Sequence, residues 1–205
     1  MNEHHPTADS LVEAARRLFS QYGYDRTSVR AVTRLAGANI GAITYHFGSK
    51  EALYEAVIGS VMAPSAERFA QAAALPGTPL VRIDRVVRVF FAFLRENPDL
   101  PQFFLQQVLA GRPIPEIALR TIRSNMETMA GLISQGQSDG SIRAGDPRLM
   151  ALSIAAQPIW LTLAGRVLQE GISIDSAQPE TRDRVVESVA AFVRAGLRAD
   201  REGTP

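Results

Sequence analysis

Apolar residues recur three and four positions apart along almost the whole of this chain, a spacing that favours α-helices over any other regular structure. Leu11, Ala15, Leu18 and Tyr22 keep the rhythm, and so do Ile83, Val87, Phe90 and Leu94. Leu119, Ile122, Met126, Met129 and Ile133 continue it, followed by Leu152, Ala156, Ile159 and Leu163 and then by Val185, Val189, Phe192 and Gly196. No convincing run alternates apolar and polar residues between turn signals, so a sheet is not expected. The pattern predicts an all-α protein of about nine helices.

Glycine, proline and capping residues punctuate the pattern. Gly23 ends the first helix and Thr27 is placed to cap the next. Gly37 followed by Ala38-Asn39 reads as a stop and a fresh cap, and Gly48-Ser49 does the same before Lys50, with Glu51 near the positive helix start. Later breaks are expected at Pro76-Gly77-Thr78-Pro79, Asn97-Pro98, Gly111-Arg112-Pro113, Gly136–Pro147 and Gly171–Pro179. Pro64 and Pro158 sit inside helical patterns, where kinks or breaks are expected.

The segments between Thr27 and Gly48 are only about two turns each, too short to persist alone. Those beyond Pro79 are long and amphipathic. The contrast divides the chain into a head over residues 1–48, with 1–8 disordered, a linking helix over 49–75, and a larger helical body over 76–205.

Composition removes several classes of chemistry. The 205 residues are 46% hydrophobic and 21% charged, as in an ordinary globular protein, and include no cysteine. Disulfides, a thiol nucleophile and cysteine-held metals are therefore excluded, which fits the cytoplasm. Of the histidines, His4 and His5 lie at the very start and His46 stands alone, so no metal or other cofactor is expected. No nucleophile–base pair or carboxylate pair stands out, and an enzyme is not expected. The N-terminus does not read as a secretory signal. The 17-residue uncharged stretch between Arg148 and Arg166 falls short of the ~20 residues that span a bilayer, so no membrane partner is expected.

Net charge is +1, but its distribution is uneven. Residues 16–50 carry Arg16, Arg17, Arg26, Arg30, Arg34 and Lys50, the only lysine, against Asp25 alone. The same region reads as helix, glycine-containing turn and helix, a helix-turn-helix. Val29, Val32, Leu35 and Ala36 give the first helix an inward face, and Ile43 and Phe47 give one to the second. That leaves Ile40, Gly41, Ala42 and Thr44 outward, small or apolar residues that let a helix approach base edges and thymine methyls. Tyr45, His46, the Thr27 hydroxyl and Lys50 suit phosphate oxygens. Ser28 and Arg30 complete the candidate DNA contacts, together with Asn39, which is first a helix cap; His46 suits packing and phosphate equally well.

Across residues 9–58 the chain resembles the TetR family of bacterial repressors. The residues that carry the likeness are the N-terminal amphipathic helix with Phe19 and Gly23, then Thr27-Ser28-Val29, Gly37, Gly41, and Tyr45-His46-Phe47-Gly48-Ser49-Lys50-Glu51-Ala52-Leu53-Tyr54. Ile40 stands where the family often has lysine and Thr44 where it often has tyrosine, so an operator sequence does not carry over. The resemblance implies a homodimeric repressor whose heads bind consecutive major grooves of a palindromic operator, and whose body binds a small molecule that releases the DNA. It places dimerisation in the last two long helices, about 147–170 and 179–199. Leu152, Ile159, Leu163, Val185, Val189, Phe192 and Val193 are the candidate interface residues there, and the apolar stripe from Val185 to Leu197 is wider than one neighbour requires.

Phe69, Phe90, Phe93, Phe104, Gln107, Met126, Met129 and Trp160 are candidates for the effector pocket, since a few polar groups among apolar ones is how small-molecule sites are built. No charge among them calls for a charged ligand, so a hydrophobic or neutral effector is expected. A DNA-binding regulator without a small-molecule effector, or an activator with the same head, remains the alternative. The expected location is the cytoplasm, at the nucleoid when bound to DNA.

Overall fold

Residues 8–175 and 177–199 are described by the structure, a computed structural model, and they form ten helices. These are α1 (Ala8–Arg26), α2 (Val29–Leu35), α3 (Ala42–Phe47), α4 (Lys50–Ala74), α5 (Pro79–Glu96), α6 (Leu100–Leu109), α7 (Glu116–Ser138), α8 (Pro147–Leu163), α9 (Gly165–Ile172) and α10 (Pro179–Leu197). Among the described residues there is no strand, only an isolated antiparallel bridge between Ile142 and Arg198. The protein is all-α. Of the segment expected to be disordered, residues 1–7, with His4 and His5, lie outside the described residues, and Ala8 opens α1.

Local chemistry accounts for the helix ends. Ser28 caps α2 by accepting from the Ala31 N–H at 3.1 Å, and Ser49 caps α4 by accepting from the Ala52 N–H at 3.1 Å. Thr27 does not cap α2, and Asn39 does not cap α3. The Thr27 hydroxyl turns back onto the Gly23 carbonyl at 2.8 Å, and Asn39 meets the Ala42 N–H with its backbone carbonyl at 3.1 Å. Gly37 and Gly48 close α2 and α3 with φ of 67° and 81°, the left-handed region in which a side chain is strained.

Two expectations need correction. The apolar stretch over 147–170 is not one helix: α8 stops at Leu163, Ala164 leaves helical geometry, and α9 departs at 73°. Gly165 lies at the break, where the lack of a side chain weakens helix continuity. Neither internal proline breaks its helix, for α4 continues through Pro64 and α8 through Pro158. Pro158 is fully buried, so packing of its ring offsets the donor it lacks. No single helix among the described residues is long and apolar enough to cross a membrane.

The described residues fall into two compact units, one within Met1–Pro64 and Gln102–Arg120, the other within Ser65–Pro101 and Thr121–Pro205. The first buries Leu11, Ala15 and Phe19 of α1, Val32 of α2, Ile43 of α3, Leu53, Tyr54 and Ile58 of α4, and Phe103 of α6. Its rings form a chain, with Phe19 5.3 Å from Tyr54 and Tyr54 stacked 4.9 Å from Phe103. Residues 102–120 thus pack with the head residues, although they lie within the 76–205 stretch read as body.

The second unit has its own core of Phe69, Ile83, Val86, Val87, Met129, Ile133, Ile154, Val189, Val193 and Leu197. Beside it Arg88 bridges Asp84 at 2.8 Å and Glu187 at 2.5 Å, while Arg194 pairs with Glu187 at 3.1 Å and also with Asp84. This ring of charges joins α5 to α10. The two arginines hold the Glu187 carboxyl below the usual carboxylate range.

Candidate nucleic-acid interface

At seven and six residues, α2 and α3 are too short to hold their shape without tertiary support. Val32 and Ile43 supply it, both buried in the core of the first unit. With Ala42 and Ile43 turned inward, α3 exposes Thr44, Tyr45 and His46, and Tyr45 is 85% exposed. Its ring meets that of His46 edge-on, with centroids 4.9 Å apart. Ser28, Arg30, Asn39, Ile40 and Gly41 are exposed as well. The result is a short helix whose outer side offers small residues, a phenol and an imidazole to solvent, with Arg30 exposed on α2.

Two of the expected DNA contacts do not reach this surface. Thr27 is 1% exposed, and its hydroxyl lies against the carbonyls of Gly23 and Leu18, at 2.8 and 3.1 Å. Ala42 is 8% exposed and belongs with Ile43 to the inward face. Phe47, expected in the core, is only half-buried.

Lys50 is held more closely than its sequence position suggests. Its ammonium donates to the Tyr24 carbonyl at 2.6 Å and sits 4.1 Å from the centroid of the Tyr24 ring. The Tyr24 hydroxyl donates to the Glu51 carboxylate at 2.6 Å. Arg112, in the turn after α6, pairs with Asp25 and lies 4.6 Å from the centroid of the same ring. Burial pulls the Lys50 pKa below its ordinary value, a shift that Arg112 reinforces and Asp25 and Glu51 oppose. Burial and the neighbouring Glu51 push the Tyr24 hydroxyl up, while the hydrogen bond from Tyr24 brings the Glu51 carboxyl down. Tyr24, Glu51 and Arg112 were not among the expected site residues. Arg112 and Asp25 stand 87 positions apart, beyond the reach of any local pattern.

The effector candidates are divided between the units. Phe69 and Phe90 pack edge-on at 5.3 Å, and with Met126 and Met129 they belong to the core of the second unit, where Phe93 is also buried. Phe104 and the buried Gln107 belong to the first unit, and Trp160 is 62% exposed on α8. Met126 also lines an open groove of about 1070 Å³ with Arg123, Glu127, Leu149 and Leu152. Asn125 buries its side-chain oxygen without a hydrogen-bond partner among the described residues.

The interface candidates divide by exposure. Leu152, Ile159 and Phe192 are exposed, Phe192 to 69%, and Leu163 and Val185 are half-buried. Val189 and Val193 face their own core instead, since α10 turns that side toward α5. Among the described residues no group of three or more His, Cys, Asp or Glu side chains gathers as a metal site would.

Residues 11–57 match the family described as bacterial regulatory proteins, tetR family. Over 199 residues the chain is 29% identical to the HTH-type transcriptional regulator RutR of Escherichia coli, a match covering 92% of this chain and 89% of that one. A TetR/AcrR-family transcriptional regulator from Thermobifida fusca is 25% identical with a TM-score of 0.68, covering 92% of this chain and 97% of its own. A bacterial regulatory protein in the tetR family from Rhodococcus shares the fold at a TM-score of 0.76 and 19% identity, covering 94% of this chain and 98% of its own.

Proposed function

The chain belongs to the TetR family of DNA-binding transcriptional regulators, and from that premise we propose that it is a repressor released from its operator by a small molecule. Two copies bind a palindromic site, each setting α3 into the major groove with Ile40, Gly41 and Thr44 toward base edges. Arg30, Tyr45, His46 and Lys50 meet the phosphates on either side. The outer side of α3 carries this reading: a phenol 85% exposed beside small residues, on a helix anchored by Ala42 and Ile43.

So few charges per head give weak binding, and pairing of two heads makes it tight. The exposed Leu152, Ile159 and Phe192 of α8 and α10 support self-association. Paired recognition helices must lie about 34–36 Å apart, so an effector that prefers another spacing releases the operator. Operator binding weakens effector binding by the same factor. The apolar surroundings of Phe69, Phe90 and Met126 favour a hydrophobic or neutral effector, and the regulator works in the cytoplasm.

Sequencing the genomic fragments captured by the purified protein at low ionic strength tests the reading. A single palindromic motif is expected, with affinity that falls as salt rises. A neutral apolar compound that raises the melting temperature is expected to release that duplex. Capture of no motif, or stabilising compounds that leave the complex intact, contradicts the repressor mechanism.

A further inference from the structure

We propose that Arg112, a residue outside the helix-turn-helix, is a positioning residue for operator binding: it acts through Tyr24 and Lys50 and makes no contact with the duplex. The proposal rests on the DNA-binding reading and adds to it a residue that neither the motif nor the family match over 11–57 contains.

Residues from three separate stretches close on one ring. Tyr24 and Asp25 come from the end of α1, Lys50 and Glu51 from the start of α4, and Arg112 from the turn after α6. The half-buried Tyr24 ring packs against Phe19 at 5.6 Å and Tyr54 at 5.0 Å, which fixes its place against the core of the unit. Both cations approach that fixed ring, Lys50 at 4.1 Å and Arg112 at 4.6 Å. Two carboxylates accompany them, Asp25 paired with Arg112 and Glu51 hydrogen-bonded to the Tyr24 hydroxyl. Arg112 is itself anchored, its N–H donating to the Gln107 carbonyl at 3.0 Å.

The charge balance follows from this geometry. Arg112 occupies Asp25, which would otherwise attract the Lys50 ammonium, and it repels that ammonium across the shared ring. The carboxylates therefore hold the Lys50 ammonium less tightly, and a phosphate can draw it out of the cluster. Without Arg112, Asp25 and Glu51 hold the ammonium against Tyr24 and fewer of its charge-assisted bonds reach DNA.

A double-mutant cycle on the duplex captured by the wild type tests this, using the full chain with Lys50→Ala, Arg112→Gln and the pair together. Each single variant is expected to bind about fivefold to tenfold more weakly. The pair is expected to lose no more than the weaker-binding single variant, because Arg112 acts through Lys50. Losses that multiply, or an Arg112→Gln protein that binds as well as wild type, overturn the proposal while leaving the DNA-binding reading intact. A wild type that binds no duplex overturns both.

The free protein supplies a second readout that a merely structural role would not move. Lys50 is the only lysine, so 13C-lysine labelling gives one side-chain signal. In Arg112→Gln that signal is expected to titrate at higher pH than in wild type; an unchanged titration counts against the proposal. Arg112→Lys restores the cation and is expected to recover most of the operator affinity. If Arg112→Gln does not fold, Arg112→Met, which keeps the aliphatic stem and removes the charge, takes its place in the cycle: losses that multiply with Lys50→Ala overturn the proposal, and a loss not deepened by Lys50→Ala supports it.

Discussion

Tyr24 brings residues of three separate stretches together. Its hydroxyl serves Glu51, its ring receives Lys50 and Arg112, and its carbonyl accepts from Lys50. Because the hydrogen bond lowers the folded-state pKa of Glu51, the stability it contributes is present above the ordinary carboxylate range. That stability is lost as pH falls through the depressed folded value. Tyr24→Phe removes the donor and leaves the ring, so a 13C-carboxyl titration is expected to show the Glu51 midpoint moving up toward its ordinary value. A midpoint that stays where it is contradicts the assignment. Residue type alone pointed to Lys50, Tyr45 and His46, since each offers a polar tip to a polyanion. It could not separate Thr27 from Ser28: both carry a hydroxyl suited to capping, and only burial in the folded head decides that Thr27 turns inward.

At the scale of elements, α3 serves the fold with one side, and the proposed function assigns the other to the operator. Ile43 is 1% exposed, so Ile43→Ala is expected to lower unfolding stability by about 2–5 kcal/mol. Tyr45→Ala removes an exposed ring and is expected to change stability by less than about 0.5 kcal/mol while weakening operator binding. Denaturant melts and fluorescence anisotropy of both variants read the two effects apart; a Tyr45→Ala protein with unaltered operator affinity contradicts the proposed contact. Helix existence was legible because the 3.6-residue period is strong, as Ile83, Val87, Phe90 and Leu94 on α5 illustrate. The α8–α9 break was not, because apolar residues continue across it and Gly165 is a weak signal inside an apolar run. Pro158 misled in the opposite direction, since packing of its buried ring offsets the local penalty, and α4 continues through the exposed Pro64 as well.

For the whole molecule, non-local packing sets what the sequence could show. Nothing in the 102–120 stretch announces that it packs with residues of the first 64, because Tyr54 and Phe103 meet across 49 positions of chain. The apolar stripe on α10 was legible from its spacing. Its division was not: Val189 and Val193 enter their own core, and Phe192 is left exposed. The central claim is that two α3 helices, held at one spacing, read two half-sites together. Anisotropy titration of the captured duplex against the same duplex with about five base pairs, half a helical turn, inserted between its half-sites tests it most directly. The account predicts that the insertion abolishes high-affinity binding by rotating one half-site to the far side of the helix, and equal affinity for the two duplexes would contradict it.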